Sequence, residues 1–343
     1  MKPFQVVVAL LFTLAPALPA PETEPVRIVF LHGDRSHASG AHEFRAGSML
    51  LAKCLGEQNA VAVKCDVHAG WPSTGEGLAL LDAADAIVFY NDGTKIVGQG
   101  WEKVDQLAKS GTGLLFMHYA VHPDPANGER YFKPWMGGYF KDGESVNPFW
   151  KADIKTLIGH PTAEGVEEIS TIDEFYHSIS FSETAGVQRL GIATPTAENL
   201  ATINNLWTRT GYGNVGKPQP LLWGIERPDG GRGAGFTGGH FHHNWAYDEL
   251  RQLLLNTIIW TAGAEIPEGG VPVRPITEDE LNANLDDYGD QTARLALPTP
   301  ENRPRIKSNG LLTVEEHAKA KKKNSEWLKQ KKALVDSLIV PVK

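Results

Sequence analysis

The stretch GGRGAGFTGGHFHHNW, Gly230–Trp245, leads within two residues into DELRQLLLNTIIW, and its reading decides the fold. A β-prone run, Gly233–Thr237, gives way to a polar turn holding His240, His242, His243 and Asn244. Leu250, Leu253, Leu254, Ile258 and Trp260 then lie on or near one helical face, which predicts a helix over Tyr247–Ala262. Strand, polar turn and helix make the repeating unit of an α/β sheet. Ligands of open α/β sheets settle outside the carboxyl ends of the strands, so the turn at His240–Asn244 is expected to face a cleft.

The same unit recurs upstream. VRIVFL (Val26–Leu31) reads as a first, central strand, and Val61–Val67, Ala86–Tyr90 and GLLFMH (Gly113–His118) as three more. Ser48–Leu55, Gly77–Ala84 and Trp101–Ser110, the last closed by Gly111, read as the helices between them. Short apolar strands alternating with helices predict a mostly parallel sheet covered on both faces. Leu190–Thr194 suits a further strand. Pro220–Glu226 and Gly233–Thr237, joined by Arg-Pro-Asp-Gly-Gly, predict a hairpin at the sheet's edge. Pro123–Ser170 has no clear period, and its aromatics Tyr131, Phe132, Trp135, Tyr139, Phe140, Phe149 and Trp150 are expected to cover one side of the cleft. Ala197–Gly216, rich in Asn, Thr and Gly, reads as a surface excursion.

A chain of 343 residues with a formal charge of -8 has room for one large α/β domain with appendages. It carries no broad basic footprint, which argues against nucleic acid or an anionic membrane surface as the main partner. Met1 and Lys2 precede the apolar run Val6–Leu14, and Ala15, Ala17 and Ala20 follow. That order predicts a signal peptide over residues 1–20 and an exported, periplasmic or extracellular protein; the run is too short to span a membrane. Residues 26–270 form the expected domain. Residues 271–343 read as a C-terminal extension, rich in proline and acid before a lysine-rich helix at Thr313–Leu338. Cys54 and Cys65 are expected to be free and packed as small apolar groups, although pairing stays open. Neither stands in a glycine-flanked turn, so no thiol nucleophile is assigned.

Four segments collect groups that bind metal or move protons. They are His32–Arg45 with His37, His42 and Glu43; His118-Tyr119; Asp173–His177; and His240–Asn244. Of the chain's 12 histidines, His32, His37, His42, His118, His177, His240, His242 and His243 lie in them. Neutral imidazole is a common metal ligand and titrates near neutrality. A catalytic divalent site needs about three His or carboxylate ligands and an open position. One residue per strand end supplies them, and His118, Glu174 and His240 are the candidate metal ligands, for zinc or manganese. A metal-free site with Glu174 or His240 as base is the competing reading. His42, Glu43, His177 and Tyr176 are the candidate catalytic groups. His37, Arg45, Tyr119, Asp173, His242 and Asn244 are the candidate substrate contacts, with hydrogen bonds of both polarities suited to a polyhydroxyl ligand. Trp245, Tyr119, Phe175 and Trp135 offer flat faces for a sugar ring. GGRGAGFTGG lacks the Lys-Ser/Thr of a phosphate loop, so no nucleotide is expected.

Taken together, His37, Gly40, His42 and Glu43 with Arg45–Gly47, Met117–Val121, Gly137–Phe140, Asp173–His177 and Arg227–Trp245 resemble the ThuA-like, or trehalose-utilisation, family. The resemblance implies a flavodoxin-like fold related to class I glutamine amidotransferases, a role in carbohydrate metabolism, and links to sugars oxidised at carbon 3. The amidotransferase cysteine would follow GLLFM; here that turn reads His118-Tyr119-Ala120, so glutaminase activity is not expected. The expected function is binding of a sugar or 3-keto sugar derivative, with metal-assisted proton abstraction of the lyase, hydratase or isomerase type. The alternatives are a non-catalytic carbohydrate-binding protein and a glycoside hydrolase using Glu43 and Glu174. Oligomerisation stays open.

Overall fold

The computed structural model describes residues 24–195, 214 and 216–299. The leader at residues 1–20, the lysine-rich helix at Thr313–Leu338 and nearly all of the Ala197–Gly216 excursion lie outside these residues. Strands and helices alternate first: β1 (Val26–His32), α1 (Phe44–Glu57), β2 (Val63–Ala69), α2 (Gly75–Asp82), β3 (Ala86–Tyr90), α3 (Trp101–Lys109) and β4 (Gly113–Met117). The short helical turns α4 (Pro125–Asn127) and α5 (Lys133–Met136) follow, then β5 (Gly138–Tyr139), β6 (Phe149–Thr156), β7 (Ile169–Glu174), β8 (Ser180–Phe181) and β9 (Gln188–Ala193). The chain ends its described course through β10 (Gln219–Glu226), β11 (Arg232–Phe236), α6 (Asp248–Thr261) and α7 (Glu278–Asn282).

One nine-stranded sheet has the order β2-β1-β3-β4-β11-β10-β9-β6-β7, while β5 and β8 form a separate two-residue ladder. β2, β1, β3, β4 and β11 run parallel. From β11 outward each neighbour reverses direction, through β10, β9 and β6 to β7. Four reversals restore the original sense, so β7 points the same way as the parallel half.

Strand residues alternate between the two faces. Ile28, Phe30, Val88, Tyr90, Leu115 and Met117 pack in one core with Leu50, Leu51, Leu254 and Ile258 of α1 and α6. Val29, Leu31, Ile87, Phe89, Leu114 and Phe116 pack in the other with Leu81, Val104 and Leu107 of α2 and α3. Both faces are covered, which is why β3 and β4 read as unbroken apolar runs.

Three local expectations are corrected. The Arg-Pro-Asp-Gly-Gly turn does join a hairpin, but β10 and β11 lie inside the sheet because β11 also pairs with β4 and β10 with β9. Turn chemistry makes two strands neighbours without saying what flanks them. The 123–170 segment contains a full strand, β6, whose outer half alternates buried and exposed residues. Its aromatics are mostly core: Tyr131, Phe132, Trp135 and Tyr139 fill the second core, and Trp150 the first. The glycines of the opening stretch serve close packing. A Cβ on Gly233 would stand 1.8 Å from the Trp135 carbonyl oxygen, and Gly239 turns at φ +112°, a conformation glycine adopts without penalty.

The segment after α6 does not stand apart from the domain. Val271, Ile276, Leu281 and Leu295 are buried in the first core. Cys54 and Cys65 are free, and burial pushes the Cys65 thiol up to about 12. Among the described residues no helix is long and apolar enough to cross a membrane.

Candidate functional site

β1, β3, β4, β7 and β11 end at one rim of the sheet, and the residues just past or at those ends converge. Thr237–His240 follow β11, Asn91-Asp92 follow β3, His118 follows β4, Glu174 closes β7, and the 33–43 loop follows β1. Two of the donors sit on strained backbone: His42 has φ 54° and His118 φ 53°. Left-handed non-glycine residues cost energy and persist only where their surroundings hold them, commonly at functional sites. For His118 this is the sharp turn after the strand that points the imidazole into the rim.

His42, His118, Glu174 and His240 are all buried, and each offers a ligand atom within 4.8 Å of the others. His118 Nε2 lies 3.0 Å from His42 Nε2 and 3.4 Å from Glu174 Oε2, and His240 Nδ1 lies 3.1 Å from Glu174 Oε2. Donor atoms bound at about 2.1 Å to one metal stand about 3.0 to 3.4 Å apart at adjacent positions. The remaining bonds fix which atoms face inward. His118 Nδ1 is 2.9 Å from the Thr237 carbonyl oxygen, an acceptor only. His42 Nδ1 is 3.1 Å from Asp92 Oδ1. Both Nδ1 atoms therefore carry the protons and donate them, and the two Nε2 lone pairs are left facing each other. Glu174 Oε1 accepts from Asn147 Nδ2 at 3.0 Å, leaving Oε2 for the centre. His240 Nδ1 is buried and completes no hydrogen bond. Three imidazoles and one carboxylate, with His42, His118 and Glu174 each oriented by an outer partner, form a donor set that fits a divalent cation, zinc or manganese.

The electrostatics point the same way. Burial holds the His42 imidazole down at about 3, so it is neutral near pH 7. Burial alone would raise the Glu174 carboxyl, but His118 and His240 outweigh it and hold the group well below the usual carboxylate range. Burial also opposes charging His118, yet Glu174 reverses the balance and raises it. A buried carboxylate that favours positive charge beside it is what a cation-binding centre requires, and metal binding there would compete with protons.

His42 and Glu174 of the cluster line a cavity of about 510 Å³ together with His37, Tyr119, His122, Phe140, Asp142, Ser145, Asn147 and Tyr176. Tyr176 Oη lies 3.3 Å from His118 Nε2, and burial pushes its phenol far above the ordinary range, so it stays a donor. The exposed His37 ring lies 3.7 Å from that of His42, centroid to centroid, at a 43° tilt, and Ser36 Oγ bridges their Nδ1 atoms at 2.9 Å each.

Other candidates from the sequence lie behind this surface. Glu43 is fully buried, its oxygens accepting the backbone amides of Gly40 and Asp286 at 2.8 and 2.7 Å. Asp173 accepts the amides of Gly239, His240 and Phe241, and so shapes the loop that carries His240. Arg45 donates to the carbonyl oxygens of Asn284 and Leu285. His242 Nε2 is 2.9 Å from the Leu281 carbonyl oxygen, and Asn244 bridges Thr171 and Ile172. His177 is buried against Trp150 with Nδ1 at 3.0 Å from Ser178 Oγ. Of the four proposed stacking faces, Tyr119 opens on the cavity, whereas Trp245, Phe175 and Trp135 belong to the two cores. Asp92, His122, Asp142 and Asn147 were not singled out from the sequence. Asp92 stands two residues after AIVFY, so the strand-end rule that found His118 could have found it; Asp142 and Asn147 lie in the segment without periodicity, and His122 just before it.

A family model described as ThuA, trehalose utilisation, matches residues 30–261. A ThuA-like protein from Parabacteroides merdae has a crystal structure that superposes at TM-score 0.51 with 15% identity, over 75% of this chain and 94% of its own. One from Bacteroides uniformis gives 0.48 and 15% over 75% and 99%. The glutaminase domain of a Trypanosoma brucei CTPS gives 0.40 and 11% over 74% and 100%. No curated protein matches the chain.

Proposed function

The chain belongs to the ThuA family, described as trehalose utilisation, and from that premise we propose that it binds a sugar derivative in the rim cavity and abstracts a proton beside a carbonyl with the help of a divalent cation. The observation that carries this reading is the pair of Nε2 atoms, of His42 and His118, held 3.0 Å apart beside Glu174 and His240. Such a cation supplies Lewis-acid stabilisation of charge developing on a carbonyl oxygen. The substrate class is a sugar or glycoside oxidised at carbon 3, because a ring ketone acidifies the neighbouring C–H. His42, His118, Glu174 and His240 hold the cation, and the Tyr176 hydroxyl donates to the oxygen that gathers charge. Tyr119 and Phe140 offer the sugar apolar faces, and Asn147, Ser145 and His37 offer it polar contacts. Lyase, hydratase and isomerase outcomes all begin with this one proton transfer.

Metal analysis of the purified protein tests the reading. One zinc or manganese per chain is expected, together with exchange of a ring C–H of a methyl 3-keto-glucoside in heavy water that chelator removes and metal restores. Tight sugar binding indifferent to chelator, with no exchange and no product, would instead make the protein a carbohydrate-binding module.

A further inference from the structure

The candidate bases of the sequence do not meet the substrate in this cavity. Glu43 and His177 do not line it, His42 Nε2 and His118 Nε2 are turned on one another, and His240 Nδ1 faces Glu174. His37 lines the cavity with its Nδ1 engaged by Ser36. One further imidazole remains. His122 lies four residues beyond His118 and lines the same cavity as His42 and Glu174. Its Nε2 is 2.8 Å from Asp142 Oδ1, and Asp142 lines the cavity too. The carboxylate accepts only, so Nε2 carries the proton and Nδ1 keeps its lone pair. The ring is wedged between Phe140 and Tyr119, at centroid distances of 4.2 and 5.4 Å. The His122 side chain is 20% exposed and that of Asp142 68%, so the pair forms a solvent-reached part of the cavity wall, whereas His118 is fully buried.

We infer that His122, oriented by Asp142, is the base that takes the substrate's proton; this rests on the reading of the site as a keto-sugar enzyme. The C–H bond next to the ketone breaks and its proton passes to His122 Nδ1. The electron pair forms the carbon–carbon double bond of an enolate, whose charge moves to the former carbonyl oxygen beside the Tyr176 hydroxyl. Return of the proton to the same carbon, or departure of a β-substituent as its alcohol with the proton taken back from His122, completes the step without an outside oxidant or reductant. A carboxylate-paired imidazole fixes the tautomer and stabilises the imidazolium that forms, the arrangement general bases use repeatedly.

The test uses the full-length zinc-loaded protein with methyl 3-keto-α-D-glucopyranoside in heavy water, following C–H loss by proton magnetic resonance. His122→Ala and His122→Gln are expected to slow exchange about 100-fold or more while retaining the zinc content and circular dichroism of the parent. Added imidazole should restore part of the rate in His122→Ala, and Asp142→Asn should lower kcat with KM little changed. Exchange in both His122 variants at the parental rate overturns the assignment alone, as does loss of zinc from both, which would make His122 a support of the cluster. A parent protein that holds zinc yet exchanges nothing overturns the reading of the site, and the assignment with it.

Discussion

At the scale of single residues, the candidate centre is defined as much by what stands behind each donor as by the donors. Asp92 gives His42 its tautomer, and Asn147 turns one Glu174 oxygen inward. Removing such a partner typically weakens metal binding about 10- to 100-fold. Asp92→Asn is accordingly expected to lower zinc affinity by that factor in competition with a chelating dye, with the fold unchanged; equal affinity would detach Asp92 from the centre. Glu174→Gln removes the only charge among the four ligands and should weaken zinc further in the same assay. His118, Glu174 and His240 could be picked out of the sequence because each sits where a strand stops. Glu43, His177 and His242 looked equivalent in composition. Their side chains are spent on backbone amides, a serine hydroxyl and a carbonyl, and no local pattern announces which way a loop side chain turns.

At the scale of elements, the described chain after α6 acts as a brace for the loop that carries His37 and His42. α7 opens with a capping box between Thr277 and Glu280. Leu281 is fully buried, and Asp286, Ala293 and Tyr288 bond to Glu43, Ser39 and the His37 carbonyl. Leu281→Ala leaves a cavity under this brace and should cost about 2 to 4 kcal/mol, read as a lowered urea midpoint. The packing of α5 on β11 is tighter still. Gly233→Ala places a methyl carbon 1.8 Å from the Trp135 carbonyl oxygen, so the variant is expected in the insoluble fraction or with a sharply lowered melting temperature. The helices and apolar strands of the first half were readable because each carries its own period. β6 was not, since its inner half begins with the large aromatics Phe149 and Trp150 and only the outer half alternates.

At the scale of the whole molecule, several imidazoles are sealed in neutral form. Burial holds His177 at about 3, against about 6.5 for a free imidazole. Below pH 6.5 the unfolded chain binds a proton that the folded chain refuses, so stability is full above that pH and falls as pH drops toward 3. The slope is about 1.4 kcal/mol per pH unit for one such group. Urea midpoints measured between pH 7 and 4.5 should fall accordingly, and His177→Gln should flatten part of the slope; an unchanged slope would mean His177 is not the group responsible. The sequence by itself determined the α/β class, the sense of the first strands, and the fact that imidazole and carboxylate gather at strand ends, because hydrophobic period and turn chemistry are local. Only the tertiary structure decided that β7, four antiparallel steps from β11, points its Glu174 at the same rim, and which histidines there face one another. Direction across a sheet and the partners of buried nitrogens depend on contacts between residues far apart in the chain, which no local period records.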